Sequence, residues 1–248
     1  MSALYNLRAF KAAFALAHLL PRPVAQSLAS LLSQFIYRKN SLTQSALQSN
    51  LHQITGLSGK PLHHLCLANV SLFGQMLADY FLCAGPRAAR HCHSLIDSWS
   101  GLENLQASHQ SGRGTIIVTG HLGHWELGGI ALTQIPLPLT VVTLEEPSTE
   151  LTRWRQAGRQ RLGIKTIVVG PAHPFAFIEL IQTLRRNELV AMLVDRPSPE
   201  ASSPVSFFHR QTPFSSAPAL LAKYTGATVL PAFVLRQPHG KYLSLASS

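Results

Sequence analysis

From about residue 100 onward, short β-rich runs alternate with helical stretches, and this alternation constrains the fold more than any other feature of the chain. Alternating strands and helices build largely parallel sheets, because each crossover to the next parallel strand is usually a helix. The sequence therefore predicts an α/β fold with a mostly parallel central sheet covered by helices. The predicted strands are Thr115–Thr119, Thr140–Leu144, Lys165–Val169, Leu189–Val194 and Ala227–Leu235, and the predicted helices are Trp125–Leu132, Thr149–Leu162, Pro174–Arg186 and Ser216–Tyr224.

The N-terminal part of the chain, through residue 85, is predicted to be helical. Large apolar residues recur at helical spacing from Val24 to Ile36, and uncharged polar residues lie between them. Such a helix either lies on a membrane interface or packs on the rest of the domain, and the sequence favours neither. The more apolar run Pro61–Leu82 is predicted to be a core helix. The predicted organisation is one structural domain, with a helical, membrane-associating segment over 1–99 and an α/β core over 100–248.

Charge is sparse and uneven along the chain. Only 13% of the 248 residues are charged, the formal net charge is +10, and six basic residues precede the first acidic residue, Asp79. Nucleic-acid-binding proteins usually concentrate Lys and Arg more densely. An acid-free, weakly charged N-terminal third is more typical of a protein that meets an anionic lipid surface, so we expect a membrane partner and no nucleic acid.

Neither a membrane span nor a disulfide framework is expected from the sequence. The closest apolar run, Ala12–Leu20, contains His18 and ends before Pro21, so it is shorter than the about 20 residues of a transmembrane helix and lacks a signal-peptide layout. Three cysteines are too few and too scattered for a disulfide scaffold, which favours a reducing compartment.

The segment from Thr119 to Gly129, TGHLGHWELGG, follows a predicted strand directly and opens a predicted helix. Ligands of open α/β sheets bind at the carboxyl ends of strands, so His121 stands where a catalytic base would stand. Glu126, five residues later, is close enough along the chain to return to the imidazole and fix its tautomer. Gly123 would let backbone approach a substrate closely. A zinc site formed by His121, His124 and Glu126 is a weaker alternative, since no further ligand is evident.

Five basic residues fall within thirteen positions of the next helical region: Arg153, Arg155, Arg159, Arg161 and Lys165. Guanidinium groups bind phosphate and developing oxyanions through paired hydrogen bonds, although such a cluster is often only a solvated helix face. Asp195 ends the apolar strand Leu189–Val194, where an acid can either bind a ligand or cap a turn.

Several linked motifs resemble the late acyltransferases of lipid A biosynthesis, the lauroyl and myristoyl transferases, which belong to the glycerolipid acyltransferase superfamily with its His-x4-Asp/Glu motif. The resemblance is carried by Gly101–Leu105, by Gly112–Glu126 and by four later segments, Leu193–Arg196, Val205–Arg210, Ala219–Ala222 and Thr225–Pro231. It spans residues 20 to 245 in element order. The chain has His124 where that family commonly has Asn, and His209 where it has Gly.

The resemblance implies an O-acyltransferase without a metal or other cofactor. His121 would take the proton of an acceptor hydroxyl, the hydroxyl would attack the thioester of an acyl carrier protein or coenzyme A, and Glu126 would orient His121. The expected acceptor is an anionic glycolipid such as a lipid A precursor, and the expected location is peripheral, on the cytoplasmic face of a bacterial inner membrane. The expected substrate-binding residues are Arg159, with Arg161 as the alternate, and Asp195, Arg210, Gly123, Trp125 and Phe208.

Two of these aromatic residues have a structural interpretation as well. Phe208 either lines an acyl channel or fills the core, and Trp125 packs beneath the site. Three other functions remain open at this point: a transferase with a different acceptor, such as a glycerophospholipid or a mannosylated lipid, a hydrolase in which water replaces the acceptor, and a lipid-binding module without catalysis.

Overall fold

The computed structural model describes residues 7–85, 88–133, 135–144, 148–197 and 199–247. The chain divides into two compact units, a helical unit of residues 8–85 with 207–210, and an α/β unit made of the rest. The predicted boundary between residues 99 and 100 differs from this division. Residues 96–100 form a strand of the sheet, and therefore belong with the α/β unit.

The helical unit contains four helices: α1 (Leu7–Leu19), α2 (Arg22–Lys39), α3 (Ser41–Thr55) and α4 (Gly59–Cys83). Local signals mark their ends. The side chain of Asn40 caps α3 by accepting a hydrogen bond from the amide of Thr43, and Gly56 ends it with a φ of 70°. Helix α2 packs on α4, and the rings of Phe10 and Phe81 meet edge to face between α1 and α4.

Helix α4 differs from its predicted role as a core helix. Its C-terminal end, Ala78–Cys83, is buried, but Leu72 and Phe73 are exposed. It is also the one described helix that is long and apolar enough to cross a membrane, with 25 residues and a mean hydropathy of 1.3 in its most apolar window. The sequence analysis expected no such span; by itself one helix of this kind is weak evidence, because core helices of soluble proteins share these properties.

The α/β unit is built on a seven-stranded sheet. Its strands are β1 (Ile96–Ser100), β2 (Thr115–Thr119), β3 (Leu139–Leu144), β4 (Ile164–Val169), β5 (Leu189–Leu193), β8 (Thr228–Arg236) and β9 (Tyr242–Ala246). Their order in the sheet is β1-β9-β8-β2-β5-β3-β4, in which β8 and β9 pair antiparallel and the other neighbours pair parallel. The predicted mostly parallel α/β fold is confirmed.

The remaining elements connect and cover these strands. The helices of this unit are α5 (Ala88–Leu95), α6 (Leu102–Gln110), α7 (Trp125–Leu132), α8 (Thr149–Arg161), α9 (Ala176–Arg185) and α10 (Ala217–Thr225). All five predicted strands and all four predicted helices exist, with ends that shift by up to two residues. The sequence predicted no element between the strand that ends at Val194 and the helix that begins at Ser216, but a hairpin of β6 (Ser202–Phe207) and β7 (Arg210–Ser215) lies there.

The main core lies between the sheet and the helices α9 and α10. Ile116, Val190 and Met192 of the two central strands meet Leu184 and Leu221 of these helices. Because side chains alternate along a strand, Ile117 of β2 points to the opposite face, where α7 contacts β3 and β8. Helices therefore pack on both faces of the sheet around β2, and the loop after β2 begins from this buried strand.

Candidate active site

His121 lies two residues after the end of β2, and Asp195 lies two residues after the end of β5. These two strands are parallel neighbours, with Thr119 opposite Leu193, so the same offset brings both side chains to the same point on the sheet edge. The Nδ1 atom of His121 is 2.9 Å from Oδ1 of Asp195, and the backbone amide of His121 donates to Oδ2 at 2.7 Å. One carboxylate therefore fixes both the ring and the backbone of His121.

This arrangement selects the tautomer of the neutral imidazole. An ionised carboxylate only accepts hydrogen bonds, so in the neutral ring Nδ1 carries the proton and Nε2 keeps its lone pair. Burial raises the pKa of Asp195, but the hydrogen bonds from the side chain and backbone of His121 outweigh it and the pKa lies below its ordinary value of 3.8. The carboxylate thus stays ionised at neutral pH. About a third of the His121 side chain is exposed, so Nε2 is open to a substrate.

The partner of His121 was predicted wrongly. The sequence analysis assigned Glu126 to orient His121, whereas the carboxylate that holds the ring is Asp195. Glu126 lies in the first turn of α7, and its Oε1 accepts a hydrogen bond from a guanidinium NH2 of Arg159 at 2.9 Å. The order of strands in the sheet explains the difference. Asp195 is 74 residues away in sequence, yet its strand is the neighbour of β2.

Glu126 forms the second ion pair of this site. Arg155 and Arg159 are one turn apart on α8, so they share a helix face. Burial raises the pKa of Glu126, but the positive charges of Arg159 and Arg155 lower it by more than burial raises it. The pKa of Glu126 therefore lies below its ordinary value of 4.5. Both partners are mostly buried, with 14% of Arg159 and 23% of Glu126 exposed. Arg161, the alternate choice, is exposed at the end of α8.

The loop between β2 and α7 owes its path to glycines. Gly123 has a φ of 66° and forms a bridge with Val234 of β8, where a Cβ atom would collide with the carbonyl oxygen of Val234. A Cβ on Gly120 would come within 3.2 Å of Oδ2 of Asp195. Gly123, predicted to bind substrate, therefore has a backbone role: it lets the loop lie against β8, and Gly120 lets Asp195 reach the amide of His121.

His124 and Trp125 support this loop. His124 is buried, its amide donates to Val234 at 2.7 Å, and its Nδ1 accepts from the amide of Leu127 at 3.3 Å as the N-cap of α7. The Trp125 ring lies edge to face with His121, at 4.8 Å between centroids. The three side chains of the alternative zinc site thus take separate partners. Among the residues that the structure describes, no three His, Cys, Asp or Glu side chains are grouped to hold a metal.

Phe208 and Arg210 lie at the tip of the β6–β7 hairpin, and this tip, residues 207–210, belongs to the helical unit. Phe208 and His209 form its turn with φ values of 47° and 63°, and Gln53 of α3 donates to the carbonyl oxygen of Phe208 at 2.7 Å. Phe208 is 44% exposed, so it does not fill the core. A glycine at position 209 would take this left-handed conformation without strain.

Comparisons with known proteins agree with the resemblance noted in the sequence. The model of the family described as bacterial lipid A biosynthesis acyltransferase matches residues 5–247. A phosphatidylinositol mannoside acyltransferase of Mycobacterium tuberculosis is 26% identical over 187 residues, 75% of this chain and 59% of that protein. One of the same name from Mycolicibacterium smegmatis is 27% identical over 130 residues, 52% of this chain and 43% of that protein. The chain thus spans less than two thirds of the length of these relatives.

Proposed function

The chain belongs to the bacterial lipid A biosynthesis acyltransferase family, and from this membership and the site geometry we propose that it transfers a fatty acyl chain from a thioester to a lipid hydroxyl. The observation that carries the proposal is the pairing of His121 with Asp195 at the carboxyl ends of two adjacent parallel strands. A carboxylate on Nδ1 fixes the tautomer that a general base needs, with the lone pair on Nε2.

In the proposed reaction the acceptor hydroxyl donates its proton to Nε2 of His121 while its oxygen attacks the thioester carbonyl carbon. The tetrahedral intermediate collapses, the carbon–sulfur bond breaks, and the departing thiolate takes the proton from the imidazolium. Asp195 stabilises the imidazolium that forms between these steps, because it is ionised and 2.9 Å from Nδ1. A positioned base of this kind contributes about 10²–10⁴-fold to the rate.

The Glu126–Arg159 pair fixes a guanidinium beside α7, the helix that follows the same loop. The carboxylate accepts a hydrogen bond from one guanidinium nitrogen of Arg159 and so orients the planar group, whose geometry suits an oxyanion or a phosphate. A buried guanidinium without its partner would be costly, so Glu126 holds Arg159 in place. Glu126 is in this view a positioning residue for Arg159, not for His121.

We infer the acyl donor from the chemistry of the reaction, and the acceptor from the family description and the names of similar proteins. An acyl carrier protein or coenzyme A thioester fits a site that needs a good thiolate leaving group. Two acceptors are candidates: a lipid A precursor, which the family description favours, and a mannosylated phospholipid, which the names of the mycobacterial relatives favour. Both are anionic glycolipids with free hydroxyls. We propose a peripheral location on the cytoplasmic face of the inner membrane, because a lipid acceptor has to be reached at a membrane surface.

The decisive experiment incubates the purified protein with acyl carrier protein or coenzyme A thioesters and each acceptor, and identifies products by mass spectrometry. An ester on a sugar hydroxyl of either lipid supports the proposal and names the acceptor. Free fatty acid formed at the same rate without any acceptor would identify a hydrolase. Tight lipid binding without turnover would identify a binding module, and the matched control in every case is His121→Ala.

A further inference from the structure

Helix α2 is packed with its polar side inward. The side chains that face α4 recur at helical spacing and are small or polar, and they include Ala25, Gln26, Ser30, Ser33 and Gln34. The opposite side of the helix carries six large apolar side chains that are each between 41% and 67% exposed: Val24, Leu28, Leu31, Leu32, Phe35 and Ile36. In water this arrangement runs against the hydrophobic effect, which favours the reverse orientation.

The inward face of α2 is a ladder of polar contacts with α4. Arg22 pairs with both carboxylate oxygens of the fully buried Asp79, at 2.8 and 3.0 Å, and the amide nitrogen of Gln26 donates to the same carboxylate. Further along, Gln34 donates to the Ser71 hydroxyl at 2.7 Å and Ser30 to the Ser71 carbonyl at 3.2 Å. Each of these contacts gives a hydrogen-bond partner to polar atoms that lie between the two helices.

The two backbones come unusually close along this ladder. A Cβ on Gly74 of α4 would lie 2.5 Å from the carbonyl oxygen of Ala29, so only glycine fits at the crossing. Small residues at the contact and hydrogen bonds across it are the features by which helices associate within lipid, where burying apolar surface between helices gains nothing. The same packing leaves the apolar side of α2 free for acyl chains.

Charge sets the orientation of this surface. From Pro23 to Tyr37, 15 residues of α2 carry no Lys, Arg, Asp or Glu. They extend about 22 Å, less than the about 30 Å of a bilayer core, so α2 is too short to span. The antiparallel contacts place Arg38 and Lys39 at the end of α2 toward Lys60 at the start of α4. A cationic end beside a one-sided apolar stripe suits a helix that lies in one leaflet of an anionic membrane.

We propose that the apolar stripe of α2, Val24 to Ile36, inserts into the acyl chains of one membrane leaflet. The polar contacts between α2 and α4 hold the two helices together without the hydrophobic effect. The occupant is a lipid surface and not a second copy of the chain. Residues 7–78 contain cations and no acid, so two copies paired through this face would bring like charges together. The inference rests on the helical unit alone and goes beyond acyl transfer.

The test is flotation of the full chain with vesicles of phosphatidylcholine and with vesicles of equal parts phosphatidylethanolamine and phosphatidylglycerol. We expect binding to both, and binding that persists at about 1 M NaCl, where the Debye length falls to about 3 Å and surface electrostatics are screened. Leu31→Arg adds a cation in the centre of the stripe, and Leu32→Arg repeats the change beside it. Both are expected to lower partitioning about tenfold, because a large apolar side chain leaves the hydrocarbon.

The control is Ser45→Arg, which adds the same charge at an exposed polar position of α3. It should bind neutral vesicles as the parent does. Equal or tighter binding of Leu31→Arg to anionic vesicles, or release of the parent at high salt, would overturn insertion in favour of surface electrostatics. A lipid-free dimer that Leu31→Arg dissociates would overturn it in favour of self-association. Turnover of a detergent-dispersed substrate by Leu31→Arg tests the reaction without a membrane. Loss of vesicle binding with normal turnover of this substrate therefore concerns membrane insertion alone and not the proposed reaction.

Discussion

The α/β unit and the helical unit bury opposite kinds of side chain. Behind the sheet, Ile116, Val190 and Leu221 are completely buried and the polar residues gather at the strand ends. In α2 the polar residues are inside and Leu31 and Phe35 are outside. The two units share a chain and a composition rich in apolar residues. Under the proposal above, the apolar face of α2 meets lipid, whereas the apolar faces of the sheet meet other side chains. The helical spacing of apolar residues in a sequence shows that a helix has an apolar and a polar face, but not which of the two faces packs against the protein.

The largest expected effect is on catalysis in the α/β unit. His121→Ala and Asp195→Asn should each lower kcat by about 10²–10⁴-fold, because the base and the carboxylate that fixes its tautomer act as one unit. The double variant should be no worse than the more damaged single variant. Circular dichroism checks the fold, and steady-state turnover of thioester measures the effect.

The partner assignment gives this prediction a control. His121→Ala combined with Glu126→Gln should show losses that are closer to additive, because Glu126 contacts Arg159 and not the imidazole. Full non-additivity between His121 and Glu126, with normal turnover by Asp195→Asn, would restore the pairing that the sequence suggested.

The second prediction tests the difference in burial directly. Leu127→Ala removes a completely buried side chain of α7 and should lower the free energy of unfolding by about 2–5 kcal/mol. Leu31→Ala removes a side chain that is 67% exposed and should change it by less than about 0.5 kcal/mol in lipid-free buffer. Urea denaturation followed by circular dichroism compares the two. A loss of several kcal/mol from Leu31→Ala would mean that the stripe is covered by protein in solution.

Sequence reasoning reached the strands and His121 because both depend on local patterns. The run Thr115–Thr119 is continuously apolar or β-branched, and glycine-flanked His121 follows it at once. The neighbour of a strand is not a local property, so the contact of His121 with Asp195 was out of reach, although both had been singled out as strand-end residues. The strands β1 and β9 and the β6–β7 hairpin were missed because each strand has only five or six residues, and β1 and the hairpin are in addition mostly exposed or polar.

The third prediction concerns the charge that Glu126 positions. Arg159→Ala should cost about 2–4 kcal/mol of transition-state stabilisation, the scale of a lost oxyanion donor. Arg159→Lys keeps the charge but loses the planar fork, so we expect it to recover little. Arg153→Ala is the matched control, because Arg153 lies on the same helix and is exposed.

Kinetics of kcat and KM separate the possible roles of Arg159. A fall in kcat at constant KM fits an oxyanion role, and a rise in KM at constant kcat fits recognition of the acceptor phosphate. Wild-type kinetics of Arg159→Ala with a damaged Arg161→Ala would transfer the role to the exposed arginine.

The smallest expected effect is the acid sensitivity that Asp195 gives to the α/β unit. Its pKa in the folded protein is below the ordinary 3.8, so the folded state binds this proton less readily than the unfolded chain does. Its contribution to stability is therefore fully present above the ordinary pKa and is lost as the pH falls through the lowered pKa. The pair is nearly a third exposed, so we expect a contribution of about 0–1 kcal/mol. Urea denaturation of the parent and of Asp195→Asn from about pH 3 to about pH 7 should give a difference that is constant near neutrality and shrinks at the acid end. A difference that grows on acidification would show that Asp195 is not held ionised by His121.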